Sequence, residues 1–105
     1  MPVDVATIAS QTIDITVLSQ TKWFDFHKSS VGSIQLVGGA GSYILTLLRS
    51  NDGVNGETLS GGETITPSVK FVSFDCSSFS HLGVKVTQVG TGAAPTLIPC
   101  GKSDA

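Results

Sequence analysis

Oxygen-bearing side chains are concentrated directly after residue 50 of this 105-residue chain. Four residues with amide or carboxylate oxygens follow one another closely there: Asn51, Asp52, Asn55 and Glu57. Calcium-binding loops provide oxygen ligands at this density. Gly53, however, takes the position of the third ligand in an EF-hand loop, and no helical pattern flanks the segment. We interpret the segment as a solvated turn, with a weak calcium site as the alternative.

Residue combinations for catalysis are poorly represented. A nucleophilic serine needs a histidine beside it and an acid that orients the histidine. Ser80 and His81 are adjacent in the sequence, so in a strand their side chains would point to opposite faces. A carboxylate pair for glycoside hydrolysis would require folding to bring Asp75 beside Glu57 or Glu63. We therefore predict no catalytic residue, no cofactor and no enzymatic activity.

Histidines and aromatic residues are the remaining candidates for binding. His27 and His81 lie far apart, without cysteine or carboxylate at ligand spacing, so we interpret each as a surface or interface histidine and not as a metal ligand. Aromatic residues in the first half of the chain offer rings on which a sugar could stack, although core packing is the favoured interpretation. These residues are Trp23, Phe24, Phe26 and Tyr43.

Composition bears on the partners of the chain. Charged residues make up 13% of the chain, against about 25% in an average soluble domain, and the formal net charge is −2. Because this charge gives no basic surface for nucleic acid, we predict no nucleic-acid partner. The mean hydropathy of +0.27 is high for a soluble monomer. We expect a neighbouring molecule to cover some of the apolar surface.

Location and redox state follow from two further observations. The longest apolar run is too short and too interrupted to span a bilayer, and the N-terminal residues lack the basic and apolar regions of a secretory signal. We therefore expect no membrane association.

Cys76 and Cys100 could pair in principle, but we expect two reduced thiols in a protein made in a cytosol.

Alternation of apolar and polar residues, which is typical of half-buried β-strands, runs through the chain. It predicts strands at residues 12–18, 22–27, 31–37 and 42–50, and shorter strands at 57–59, 63–66 and 96–98. Residues 42–50 are apolar on both faces, as in a central strand.

Residues 69–89 predict a β-hairpin, around which we expect the domain to be organised. Two strand-like runs flank a polar turn that contains Ser77, Ser78 and Ser80. Hydroxyl side chains can bond the backbone groups that no strand pairs. In the first run we expect Phe71 to face the core.

These elements predict an all-β fold, a single antiparallel β-sandwich or jelly roll of about seven to nine short strands. Residues 12–90 are assigned to this domain, residues 1–11 to an N-terminal arm and residues 91–105 to a C-terminal tail. The predicted core is Ile13, Ile15, Phe24, Phe26, Ile34, Leu36, Leu45, Leu47, Phe71, Val84 and Val86.

Two motifs resemble those of small β-sandwich proteins on the virion surface of tailed bacteriophages. The first is a strand that ends in a Ser-Asn-Asp-Gly loop, here residues 49–53. The second is a strand-turn-strand segment of the form Asp-x-Ser-x-Phe, followed by Leu-x-Val-x-Val-Thr, here residues 75–87. The resemblance covers residues 31–92, and Trp23 falls where such domains often begin their first core strand.

The resemblance implies a virion structural protein, a capsid decoration (cement) subunit that binds the outer capsid surface and stabilises the lattice. Its implied partners are the major capsid protein and further copies of itself, with a homotrimer favoured. Its implied location is the capsid surface of the virion, after assembly in the bacterial cytoplasm. The alternative is a receptor- or carbohydrate-binding module of a tail fibre or other surface appendage.

Alkylation of the two cysteines tests the expected redox state. If Cys76 and Cys100 are both thiols, the protein unfolded without reductant should gain two alkyl adducts, because unfolding exposes both sulfurs to the reagent. Intact mass measured before and after alkylation gives the number of adducts. An unchanged mass would show that the two cysteines are joined by a disulfide.

Overall fold

The computed structural model of the chain describes residues 3–6, 8–26, 29–39, 42–59 and 64–104. These residues form β-strands, turns and loops, and among them there is no helix long and apolar enough to cross a membrane. The strands are β1 (Val3–Ala6), β2 (Gln11–Thr12), β3 (Thr21–Asp25), β4 (Val31–Val37), β5 (Ile44–Ser50), β6 (Glu57–Thr58), β7 (Thr64–Ile65), β8 (Phe71–Asp75), β9 (His81–Gln88) and β10 (Thr96–Asp104). The predicted all-β class is confirmed.

Two antiparallel sheets make up the fold. In sheet I the strand order is β1-β10-β4-β8, with β2 paired to the beginning of β10. In sheet II the order is β3-β9-β5-β6, with β7 also paired to β5. The longest pairings join β4 to β10 and β5 to β9, each over seven residues, so each sheet is built on a pair of central strands. The inner faces of both sheets line one core, which is the arrangement of a β-sandwich.

The core contains the inward residues of alternating strand positions. In β4, for example, Gly32, Ile34 and Leu36 are buried while Val31 and Val37 are exposed. The buried apolar side chains are Ile13, Ile15, Phe24, Phe26, Ile34, Leu36, Tyr43, Leu45, Leu47, Leu59, Ile65, Val72, Phe74, Cys76, Phe79, Leu82, Val84, Val86 and Leu97. Ten of the eleven predicted core residues are among them. The prediction that β5 is a central strand is also confirmed, since it lies between β9 and the short strands β6 and β7.

The predicted hairpin of residues 69–89 is wrong. Strand β8 pairs with β4 in sheet I, whereas β9 lies between β3 and β5 in sheet II. The connection between β8 and β9 therefore crosses from one sheet to the other. Cys76 and Phe79 in this connection are buried, so it closes one end of the core and does not form a fully solvated hairpin turn.

Phe71 is the one predicted core residue that lies outside. Its side chain is 58% exposed, whereas Val72 and Phe74 of the same strand are buried. The register with β4 explains the difference, because Val72 lies opposite the inward residue Ile34 and Phe71 lies opposite the outward residue Gln35. Paired residues on neighbouring strands point to the same face of a sheet.

The predicted strand at residues 12–18 ends early. Strand β2 stops at Thr12, and residues 15–19 form a turn. The Asp14 carboxylate accepts hydrogen bonds from the backbone N–H of Thr16 at 3.0 Å and from its hydroxyl at 2.6 Å. Such local bonds favour turns over strands. Ile13 and Ile15 are nevertheless buried as predicted, while Val17 is exposed.

Both ends of the chain contain strands of sheet I. Strand β1 lies within the predicted arm of residues 1–11, and β10 lies within the predicted tail of residues 91–105. The two strands pair with each other, from Val3 opposite Asp104 to Ala6 opposite Gly101. Strand β10 also pairs with β4 from Thr96 to Lys102, so it extends well beyond the predicted strand at residues 96–98.

Alanine substitutions at Leu45 and Phe71 should separate the core from the surface. Leu45→Ala should lower the free energy of unfolding by about 2–5 kcal/mol, because it removes a fully buried side chain and leaves a cavity. Phe71→Ala should lower it by less than about 0.5 kcal/mol, since the ring is mostly exposed. Urea unfolding followed by circular dichroism gives both values. Equal losses in the two variants would contradict the placement of Phe71 on the outside.

Candidate functional site

A cleft lies where the loop after β5 meets the connection between β8 and β9. Its volume is about 580 Å³, which is within the range of small-molecule sites. The lining residues are Arg49, Ser50, Asn51, Asn55, Gly56, Glu57, Ser78 and Phe79. The lining residues other than Gly56 and Phe79 have polar side chains. We call this region the loop-end cleft.

The loop-end cleft contains three of the four residues that the sequence suggested as calcium ligands: Asn51, Asn55 and Glu57. The fourth, Asp52, is engaged by its own loop. Its Oδ1 atom accepts hydrogen bonds from the hydroxyl of Ser50 at 2.8 Å and from the backbone N–H groups of Val54 and Asn55 at 2.9 and 2.8 Å. Its Oδ2 atom accepts a bond from the Asn55 side-chain amide at 2.9 Å.

These bonds make Asp52 the residue that orders the loop. The backbone N–H of Asn55 and that of Val54 hold the pKa of the Asp52 carboxyl far below its usual value. Each of these donors would have to be displaced before the carboxylate could turn towards a cation. Within the described ranges, no group of three or more histidine, cysteine or acidic residues is placed to hold a metal ion. The observed contacts are those of a solvated turn.

Arg49 carries the positive charge of the loop-end cleft. Its Nη2 atom lies 3.7 Å from the Glu57 Oε2 atom across the β5–β6 pair. The two side chains are 42% and 84% exposed, so water screens the pair and its contribution to stability is small. Arg49 therefore remains accessible to a ligand in the cleft.

Ser80 and His81 are in contact, which differs from the sequence expectation. The Ser80 Oγ and His81 Nδ1 atoms are 2.7 Å apart. Ser80 precedes β9 and lies in a bend, so the alternation of a strand does not separate its side chain from that of His81. Neither side chain lines the loop-end cleft. The backbone N–H of Ser80 donates to the Ser50 carbonyl at 3.1 Å, which gives Ser80 a structural role between the two loops.

The aromatic candidates separate into two groups. Phe24, Phe26 and Tyr43 are buried, as the core-packing interpretation predicted. Trp23 instead lies on the outer face of sheet II, where its ring covers Gly83 of β9, its cross-strand partner. A Cβ atom at Gly83 would come within 2.6 Å of the Trp23 ring, so only glycine fits beneath it. His27 lies outside the described residues.

The outer face of sheet I exposes several large apolar side chains. Val31 and Val37 of β4, Phe71 of β8 and Ile98 of β10 all project from this face, each more than a third exposed. We call this surface, formed by the outward residues of β4, β8 and β10, the apolar face. A groove of about 470 Å³ crosses it. This surface could not be recognised from the sequence, because residue alternation alone places Phe71 in the core.

Comparison with known proteins gives a fold likeness. No protein-family model matches the chain, and no curated protein matches it in sequence. Among solved structures, the chain is similar to the crystal structure of the SPBc2 prophage-derived protein YomS, with a TM-score of 0.75 and 15% sequence identity. The likeness covers 98% of this chain and 96% of YomS. At this identity it shows a shared fold.

Loss of the Asp52 carboxylate should destabilise the protein in a pH-dependent way. Asp52→Ala should lower the urea midpoint at pH 7, because four hydrogen bonds of the loop are lost. The pKa of Asp52 is lower in the folded than in the unfolded state, so its contribution is fully present above the ordinary value of 3.8 and is lost as the pH falls below it. The difference between variant and wild type should therefore shrink in acid.

Glu57→Gln is the control, since it alters an exposed carboxylate that makes one weak ion pair. The comparison requires urea midpoints of all three proteins at neutral and acidic pH. An Asp52→Ala midpoint equal to that of the control at pH 7 would show that Asp52 does not order the loop.

Proposed function

We propose that this chain is a structural protein of a bacteriophage virion, a decoration or cement subunit that binds the outer surface of the capsid. The observation that carries the proposal is the fold likeness to a prophage-derived protein, which extends over almost the whole of both chains. A match of this extent relates the two folds over nearly the whole of both chains and not through one shared motif. The proposal also agrees with the resemblance of residues 49–53 and 75–87 to motifs of bacteriophage virion-surface proteins.

The surface chemistry suits a lattice-binding protein. Only 13% of the residues are charged, and large apolar side chains remain exposed on the apolar face. A subunit that repeats over a capsid does not need a large interface, because weak contacts act together when several copies are engaged at once. The proposed partners are the major capsid protein and further copies of the chain, and the proposed location is the capsid surface after assembly in the bacterial cytoplasm.

The capsid contact is proposed to lie along β1. This strand is at one end of sheet I and pairs with β10 through one of its edges. An edge strand presents backbone N–H and C=O groups that can add a strand from another chain. Such a contact depends mainly on the backbone, so it needs few charged residues.

Carbohydrate or receptor binding at the loop-end cleft is the second candidate function. The specific observation in its favour is a cleft of about 580 Å³ lined by Arg49, by asparagine amides and by serine hydroxyls. These groups can donate to and accept from the hydroxyls of a sugar. A glycan array probed with the purified protein tests this function, and Arg49→Ala should abolish any binding that the cleft provides.

Removal of residues 1–7 should weaken capsid binding by tenfold or more, because it deletes β1. The measurement is co-sedimentation of the protein with capsids of the phage whose genome encodes it. Arg49→Ala is the matched control, since it alters the cleft and leaves β1 intact. Circular dichroism checks that the truncated chain keeps its β-structure. If the full-length chain stays in the supernatant, the proposal of capsid binding is wrong. If the truncated chain and the control bind equally, the assignment of the contact to β1 is wrong.

A further inference from the structure

Two opposite charges lie at the two sides of the apolar face. The registers of sheet I place Lys102 of β10 opposite Val31 of β4, and Val31 opposite Asp75 of β8. All three side chains are exposed, and paired residues point to the same face. Lys102 and Asp75 are therefore one strand away from β4, on opposite sides of it. No other described side chain of the apolar face is charged.

Two further rows of outward residues cross the same strands. Cys100, Ser33 and Ser73 form the middle row. Ile98, Gln35 and Phe71 form the next row, in which the two flanking residues are apolar. The apolar face thus has one row with a cation and an anion at its ends, and another with an apolar side chain at each end.

We propose that two copies of the chain pack apolar face against apolar face, around a two-fold axis that runs along β4 in the plane of the interface. Such an axis places the β10 side of one copy over the β8 side of the other. Residues at the same position along β4 therefore face each other across the interface. It brings Lys102 of each copy onto Asp75 of the other, and Ile98 of each onto Phe71 of the other. Val31 meets its own counterpart at the axis.

The proposed contacts between the two copies remain possible when the two packed sheets cross at an angle. Packed sheets cross at about 30°, and neighbouring strands are about 4.8 Å apart. A residue one strand from the axis is therefore displaced by roughly 2–3 Å from perfect superposition. A lysine side chain spans this distance easily. The middle row, with its small side chains, leaves a groove of about 470 Å³ in each copy, where water can bond the hydroxyls of Ser33 and Ser73.

The charges at the ends of the row are present at neutral pH. The backbone N–H of Ser77 donates to the Asp75 carboxylate at 2.8 Å and lowers its pKa. The Lys102 ammonium group provides the opposite charge. Each dimer would contain two Lys102–Asp75 pairs, because the two-fold axis generates the second from the first.

The area of the face sets the expected strength. Seven paired positions on β4 and β10 and the five residues of β8 give roughly 300 Å² per copy, or about 600 Å² for the pair. This is below the roughly 1,200 Å² at which stable interfaces begin, in the range of weak, transient contacts. The expected dimer is therefore weak in solution and forms at micromolar or higher concentrations. On a capsid, attachment to the lattice would raise the local concentration of the chain.

This inference deepens the proposed function by naming the surface through which copies associate. It assigns two-fold order, in place of the three-fold order that the bacteriophage resemblance implied, because a surface complementary to itself is used by a two-fold axis. The dimer is a property of the purified chain. It can therefore fail while capsid binding succeeds, and it can exist in a protein that binds no capsid.

Charge reversal tests the proposed pairs. Lys102→Asp and Asp75→Lys should each weaken dimerisation about tenfold, since each replaces two attractive pairs per dimer by two repulsive ones. The double variant Lys102→Asp with Asp75→Lys should return to within about threefold of the wild type, because the exchange restores both pairs. Lys85→Asp is the matched control, since Lys85 lies on the outer face of sheet II.

Sedimentation equilibrium from micromolar to hundreds of micromolar concentrations measures the association of all five proteins, and circular dichroism checks their folding. A wild-type dimer with weakened single variants, an unaffected control and a restored double variant would support the proposal. A wild-type monomer throughout this range, a trimer, or single variants no weaker than the control would overturn it. A double variant as weak as the single variants would also overturn the pairing.

Discussion

The crossing of the chain between β8 and β9 is the constraint on which the rest of the structure depends. Phe74 ends the buried part of β8, and its ring packs edge-on against Phe26 at 5.2 Å and stacks on Phe79 at 6.4 Å. These rings close one end of the core while the chain passes from sheet I to sheet II. The same crossing places Ser80 beside the β5 loop, where its backbone N–H donates to the Ser50 carbonyl. Without it, the two loops of the loop-end cleft would not meet.

Alternation in the sequence predicted the sandwich and most of its core, but not the pairing of the strands. The runs at β8 and β9 have the pattern of a hairpin, and that pattern is the same whether consecutive strands share a sheet or face each other across the core. Phe71 shows the same limit within one strand. Both faces of its run contain a large apolar residue, so the choice depends on the register with β4, which is a long-range interaction.

The loop-end cleft could be predicted only in part. The oxygen-rich segment after residue 50 lines part of the cleft, and the bonds that Asp52 accepts are those of a turn. The contribution of Arg49 and Phe79 to the cleft depends on the meeting of two loops that are distant in sequence. Strand alternation would separate Ser80 from His81 only if both lay in a strand, whereas the bend at Ser80 brings their side chains together.

The two outer faces of the sandwich differ in how far groups of the same chain cover them, and this difference is relevant to the low charge of the chain. On sheet II the Trp23 ring covers the backbone at Gly83, and the hydroxyls of Thr46 and Thr87 bond each other at 2.9 Å. On that face, side chains of the same chain cover the backbone and form hydrogen bonds with each other. The apolar face of sheet I has no such cover over Phe71 among the described residues. An exposed apolar surface of this kind is a common feature of interaction sites, which is why the proposed pairing of two copies uses this face and not the outer face of sheet II.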